Sequence, residues 1–190
     1  MDNTRQIEKT ETNRILDMVY MAIGAAIIAV CSWISIPTTV PFTLQTFAVF
    51  FVLLTLGGKR GTISVLVYVI MGAVGVPVFA GFKGGIGVLL GNTGGYIIGF
   101  IVMGLIYMFI TRIGKQGMIT KIIALITGLI VCYAFGTAWF MFVYIRETGP
   151  VGVMTVLTWC VIPFIIPDLA KMAVAFFISR RMHSVIKEEA

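Results

Sequence analysis

Long apolar runs, separated by short polar or glycine-rich connections, make up most of the chain. Dividing it at its charges and its Gly/Pro clusters predicts six membrane-spanning segments, near 15–36, 43–57, 62–80, 95–112, 118–145 and 156–179. A helix needs roughly 20 apolar residues to cross a hydrocarbon layer about 30 Å thick. The second run is short and the third is interrupted by GAVGVP, so we expect tilted or broken helices there.

Composition places this pattern in a membrane. Only 12% of the residues are charged and 59% are hydrophobic, and the mean hydropathy is +1.03, far from the values of a soluble domain. The first apolar run is too long for a signal-peptide core and lacks a small-residue cleavage site, so we expect a retained helix. The prediction is an all-α integral membrane protein, a compact bundle of six transmembrane helices in one domain, 1–190, with tails of about 1–14 and 180–190.

The basic residues predict the orientation of the bundle. Of the 14 Lys and Arg residues, 11 fall in alternate connections, which the positive-inside rule places in the cytoplasm together with both termini. They are Arg5, Lys9, Arg14, Lys59, Arg60, Arg112, Lys115, Lys121, Arg180, Arg181 and Lys187. The net charge of +6 therefore lies in short flanks beside apolar runs, a pattern that favours anionic membrane lipid over nucleic acid as a partner.

The connections on the predicted outer side are longer and nearly uncharged. One reads IPTTVPFTLQT, and another reads GVPVFAGFKGGIGVLLGNTGGY. The glycine-rich connection has neither a P-loop nor a G-x-G-x-x-G pattern, so the sequence shows no recognisable ATP site. Glycines such as Gly84 and Gly85 instead allow backbone to approach a ligand closely. A flexible outer loop without a ligand remains the alternative.

Asp168 and Lys171 stand inside the last apolar run. Counting back from Arg180 at 1.5 Å per residue places them roughly 18 and 14 Å above the cytoplasmic boundary. Charged residues at that depth are costly and usually line a cavity or a polar pathway. Spacing i, i+3 puts both side chains on one helix face, and Pro163 and Pro167 fit a helix start or a break. Either the pair merely ties helices together, or it faces a ligand cavity.

Enzyme chemistry is not expected. His183, the single histidine, falls in the basic tail, away from any Ser or Cys nucleophile. Cys31, Cys132 and Cys160 lack C-x-x-C spacing, so we expect free thiols rather than a metal site or disulfides. An ion-coupled carrier usually shows several buried acids or a duplicated half; this alternative stays second.

Small residues recur one turn apart in the first span. Ala22 and Ala26, and the adjacent Ala25 and Ala29, form a smooth surface that another helix can approach closely, either within the bundle or in a partner. For Gly95 and Gly99, which have the same spacing, we expect internal packing.

Three stretches together resemble the BioY family, the biotin-specific substrate-binding (S) components of energy-coupling factor (ECF) vitamin importers. They are VPFTLQTF at 40–47, GAVGVPVFAGFKGGIGVLLGNTGGYIIGF at 72–100 and IPFIIPDLAK at 162–171. The resemblance implies a multi-pass protein of a prokaryotic plasma membrane that captures biotin from outside, with no cofactor and no ATPase of its own. Its partners would be a transmembrane coupling (T) subunit, contacted by the A-x-x-x-A surface, and two ABC-type ATPases.

The resemblance also implies a set of biotin-binding residues. Asp168 would accept ureido N–H groups, and Lys171 would pair the carboxylate or orient Asp168. The remaining candidates supply hydrogen bonds or apolar walls: Thr43, Gln45, Asn92, Tyr96, Trp33 and Phe79. The family loop more often has proline at the position of Asn92, which is either a ligand contact or a turn residue. An S component for another vitamin and a stand-alone ion-coupled carrier remain open.

Overall fold

A computed structural model describes residues 2–37, 40–114 and 117–188, with side chains between 13 and 182. It confirms the all-α class. The described helices are α1 (Asp2–Trp33), α2 (Gln45–Ala73), α3 (Ile86–Leu90), α4 (Gly94–Ile113), α5 (Met118–Glu147), α6 (Val153–Cys160) and α7 (Ile162–Glu188). Two short strands, β1 (Ser35–Ile36) and β2 (Phe42–Thr43), pair antiparallel between α1 and α2.

The second and third predicted spans are the two arms of a sharply bent α2. Gly57 leaves helical geometry, with φ 79° and ψ 176°, a region that favours glycine. Gln45 Nε2 lies 2.9 Å from Tyr68 Oη, whereas 23 residues of straight helix would separate them by roughly 34 Å. The first arm (45–56) and the second arm (58–73) therefore run antiparallel. Because α2 counts as one helix, the described residues contain five helices long and apolar enough to span a membrane.

The predicted end of the third span, residue 80, is wrong. Helix α2 ends at Ala73 because the chain turns at Gly75, which has φ 108°. The sixth predicted span is present as the apolar stretch Val153–Met182, which a break at Val161 divides into α6 and α7. Pro163 lies in the first turn of α7, where proline is favoured, and Pro167 lies further along the same helix.

Helices α4 and α5 form the most extensive contact in the bundle. A Cβ added at Gly95 would collide with the Trp139 side chain, and one at Gly99 would lie 2.8 Å from Cys132 Sγ. Both glycines therefore let α5 pack closely on α4, which confirms the predicted internal packing.

The basic connections within the described residues meet at one end of the bundle. Arg60, in the bend of α2, pairs with Asp17 of α1 at 2.6 Å, and Arg180 of α7 lies 4.0 Å from Met118 Sδ at the start of α5. Lys115 lies outside the described residues. Loops and strands occupy the opposite end. Which end faces the cytoplasm stays a prediction.

Candidate functional site

Asp168 and Lys171 lie on one face of α7, turned into the bundle. Their exposed fractions are 1% and 9%, and Lys171 Nζ lies 2.9 Å from Asp168 Oδ1. Buried charges are expensive unless they are paired and hydrogen-bonded. The geometry therefore meets the condition under which such a pair can persist inside a bundle.

Two further side chains donate to the Asp168 carboxylate. Thr46 Oγ1 donates to Oδ1 at 2.8 Å, and Tyr133 Oη donates to Oδ2 at 2.6 Å. Since each carboxylate oxygen accepts about two hydrogen bonds, Lys171 and Thr46 fill Oδ1. Oδ2 keeps room for one more donor.

The Lys171 ammonium uses all of its donors within the protein. Besides Asp168 Oδ1, it donates to the Thr43 carbonyl oxygen at 2.7 Å and to Thr46 Oγ1 at 3.1 Å. It also lies 4.4 Å from the ring centroid of Phe42, a cation–π distance. An ammonium group has three N–H bonds, so Lys171 holds Asp168 and the β2–α2 connection together.

The strand pair places the polar start of α2 against α7. Ser35 is opposite Thr43, and Thr43 Oγ1 accepts a hydrogen bond from the Gln45 backbone N–H at 3.2 Å. Gln45 then turns inward, with an exposed fraction of 6%, and bonds to Tyr68 on the second arm. This short β connection thereby puts Thr43, Gln45 and Thr46 on one side of the site.

A cavity of about 370 Å³ opens between α2, the 74–93 loop, α4, α5 and α7, within the roughly 300–1,000 Å³ of small-molecule sites. Six of the predicted site residues line it: Thr43, Gln45, Phe79, Tyr96, Asp168 and Lys171. Tyr96 Oη is 3.1 Å from Thr137 Oγ1. The cavity thus combines a charged polar end with apolar and aromatic walls.

Four predicted site residues do not line this cavity. Trp33 donates from Nε1 to the Pro77 carbonyl oxygen at 2.9 Å and stacks on Phe82, so it ties the loop to α1. Asn92 lies between Gly91 and Thr93, which both line the cavity. Its Oδ1 is buried and has no hydrogen-bond partner within the part of the chain that is described.

Gly84 and Gly85, the other two, shape the loop itself. A Cβ at Gly84 would lie 2.5 Å from the Val76 carbonyl oxygen, and Gly85 has φ 97°. The Gly85 N–H donates to the Gly72 carbonyl oxygen at 2.7 Å. Both glycines thus let the loop fold back onto the end of α2.

Sequence reasoning missed several residues of the site. Tyr133 carried a weak signal, a hydroxyl in the middle of an apolar run, and Thr46 adjoins the predicted Gln45. Phe42 and Phe164 stack at 5.6 Å, and no sequence pattern pairs them. Lys83 lines the cavity from the glycine-rich loop, and the sequence pattern does not mark it as a site residue.

The two alanine pairs of α1 have different environments. Ala25 and Ala29 are buried, with exposed fractions of 3% and 5%, and belong to the main core. Ala22 and Ala26 are exposed. Of the two candidate surfaces, only the exposed pair is available to another protein without repacking the bundle.

A second cavity, of about 510 Å³, lies at the basic end between α1, the first arm of α2 and α7. Its lining is largely apolar, and its charged member, Arg60, is already paired with Asp17. The three cysteines are free, as predicted; Cys132 and Cys160 are buried and Cys31 is partly so. Among the described residues, no three His, Cys, Asp or Glu side chains are grouped as metal ligands would be.

Apolar helices that enclose a small cavity with a buried, hydrogen-bonded charge pair define a multi-pass membrane protein with a cavity of the size of a small-solute site. Solved structures include a similar one. The chain matches the S-component for biotin from an ECF-type ABC transporter with a TM-score of 0.77 and 27% identity, over 91% of this chain and 93% of that one.

Sequence comparison narrows the class to one family. The model of the BioY family matches residues 4–188. The chain is 40% identical to the biotin transporter BioY of Thermotoga maritima, over 87% of this chain and 94% of that protein. It is 41% identical to the probable biotin transporter BioY of Pyrococcus horikoshii, over 85% and 93%. The chain belongs to the BioY family, a transporter family, which confirms the predicted resemblance and the prediction that the chain is not an enzyme.

Proposed function

We propose that this protein is the S component of an ECF-type importer and captures biotin in the 370 Å³ cavity. The observation that carries the proposal is the Asp168 carboxylate, buried at the cavity wall with one acceptor position left on Oδ2. A biotin ureido ring offers two N–H donors and a carbonyl, and a carboxylate is a strong partner for such a donor. A ureido N–H on Oδ2 would complete the hydrogen bonding of Asp168.

The remaining walls suit the other parts of the vitamin. Phe79 and Phe100, which line the cavity, give apolar surface for the thiophane ring. Gln45 and Tyr96 place an amide and a hydroxyl in reach of the ureido group. Binding of this kind needs no chemical change in the ligand, only a preformed pocket that replaces its hydration.

Delivery into the cell requires partners. In this proposal the loop end of the bundle faces outward, as the basic residues predict, and the exposed surface of Ala22 and Ala26 contacts the T subunit of a module that also holds two ABC-type ATPases. Small residues let a partner helix approach the α1 backbone closely. Ala25 and Ala29 are buried and are assigned to the bundle instead.

Titration of the purified protein with biotin, thiamin and riboflavin by calorimetry tests the proposed ligand. We expect saturable binding of one biotin per chain below micromolar concentration and no heat from the other two. Tighter binding of thiamin or riboflavin would assign the site to another vitamin. Absence of biotin binding at micromolar concentration would contradict the proposal.

Reconstitution of the chain alone in liposomes tests the carrier alternative. An imposed proton or sodium gradient is expected to drive no biotin accumulation, because Asp168 is committed to Lys171, Thr46 and Tyr133. Concentrative uptake by the isolated chain would instead establish an ion-coupled carrier.

A further inference from the structure

The charged side chains that line the cavity do not balance. Within the described residues they are Lys83, Asp168 and Lys171. Asp168 and Lys171 neutralise each other across 2.9 Å, which leaves the charge of Lys83 without a counterpart. A cavity with one uncompensated positive charge suits a ligand with one negative charge.

Lys171 is poorly placed to supply that charge to a ligand. Its three N–H bonds are directed to Asp168, Thr43 and Thr46, and its exposed fraction is 9%. A ligand carboxylate could reach the ammonium only by displacing one of these acceptors. Such an exchange would leave a buried oxygen unpaired, which is costly.

Lys83 has the opposite environment. Its side chain is exposed and lines the cavity, and the structure shows no hydrogen bond or ion pair for it with any other described side chain. Its backbone is fixed in a tight turn: the Phe79 N–H donates to the Lys83 carbonyl oxygen at 2.9 Å, and the Lys83 N–H donates back at 3.3 Å. Gly81 and Phe82, with φ of 70° and 57°, close that turn. The turn thus holds at the cavity wall a lysine whose charge is not paired with another described side chain.

We propose that Lys83 recognises the carboxylate of the ligand, and that Lys171 is a positioning residue that holds Asp168. The assignment rests on the proposed function, since biotin carries one carboxylate at the end of its valerate chain. It orients the vitamin with the ureido ring at Asp168 and the valerate directed toward the glycine-rich loop. The exposed ammonium also attracts anionic ligands to the cavity, an effect that salt weakens.

Comparison of biotin with its neutral carboxamide, biotinamide, tests the assignment. In the wild-type protein we expect biotin to bind about tenfold more tightly, as an accessible charged hydrogen bond provides. Lys83→Met should remove this preference by weakening biotin about tenfold while leaving biotinamide within about threefold. Lys83→Arg should retain most of the preference, and added salt should reduce the preference in the wild type and in Lys83→Arg but not in Lys83→Met.

Arg146→Met is the matched control. It removes one positive charge from the end of α5, where Arg146 lies over the Phe142 ring at 4.0 Å and does not line the cavity. We expect it to leave the preference for biotin unchanged.

The results distinguish a failure of the Lys83 assignment from a failure of the proposed function. If Lys83→Met leaves the preference intact, or weakens both ligands equally, the assignment of Lys83 is wrong while the proposed function stands. If the wild type binds neither ligand, the proposed function fails and the assignment fails with it.

Discussion

Replacement of Lys171 by methionine should damage stability and binding together, whereas a second replacement should repair only stability. Lys171→Met leaves the Asp168 carboxylate, 1% exposed, without its counter-ion. Removing one partner of a buried ion pair costs about 3–5 kcal/mol. Thr46 and Tyr133 still donate to Asp168, so we expect the low end, about 3 kcal/mol. Since folded domains have roughly 5–15 kcal/mol of stability, the variant should fold.

Biotin binding by the same variant should weaken tenfold or more, about 1.4 kcal/mol, because Lys171 no longer fixes the carboxylate that meets the ureido ring. Adding Asp168→Asn removes the unpaired buried charge and should restore part of the lost stability. Biotin binding should stay weak, because the amide introduced by Asp168→Asn carries no charge and replaces the carboxylate oxygen that would accept the ureido N–H. The single variant Asp168→Asn should likewise bind biotin at least tenfold more weakly.

Thermal unfolding in detergent, followed by tryptophan fluorescence, measures the stability of each variant, and calorimetry measures biotin binding. Arg60→Met is the control, because its ion pair with Asp17 is shorter, at 2.6 Å, but the two side chains are 47% and 40% exposed. Breaking it should cost at most about 1 kcal/mol. If Lys171→Met melts and binds as the wild type does, the coupling of the pair is refuted. If the double variant regains binding, Asp168 is not the acceptor.

The remaining predictions concern helix surfaces. Ala26→Leu should leave biotin binding unchanged and impair co-purification with the T subunit. The control Ala138→Leu, at an exposed position of α5, should affect neither. If Ala26→Leu loses biotin binding but still assembles, the assignment of this surface to the T subunit is wrong. Gly95→Ala should lower the free energy of unfolding by about 1–3 kcal/mol through overpacking, because its Cβ would collide with Trp139. Gly87→Ala is the control, because a Cβ added at Gly87 has no other heavy atom within 4 Å, and it should not reduce thermal stability. Equal losses of stability in the two variants would contradict close packing of α4 on α5 as the cause.

Hydrophobic pattern and charge depth predicted much of the fold and the centre of the site. Asp168 and Lys171 stood out because charges are rare at that depth, and their i, i+3 spacing predicts the shared helix face that the structure has. The pattern also separated the two arms of α2, because Gly57 begins the GGKRG connection. These features are local, so a single segment of sequence is enough to predict them.

The rest of the site depends on contacts between distant segments. Thr46 and Tyr133 reach Asp168 from 122 and 35 positions away in the chain, a relation that no local pattern encodes. Burial of Ala25 rather than Ala22 depends on how α1 rotates against α2. The resemblance implies Trp33 as an apolar wall of the site, yet its indole N–H donates to the Pro77 carbonyl oxygen and it does not line the cavity.

A structure of this protein with biotin bound tests the central claim most directly. We predict that the ureido ring lies inside the cavity, with one nitrogen about 3 Å from Asp168 Oδ2 and the Lys171–Asp168 ion pair intact. Biotin bound outside this cavity, or inside it with no polar contact to Asp168, would contradict the account.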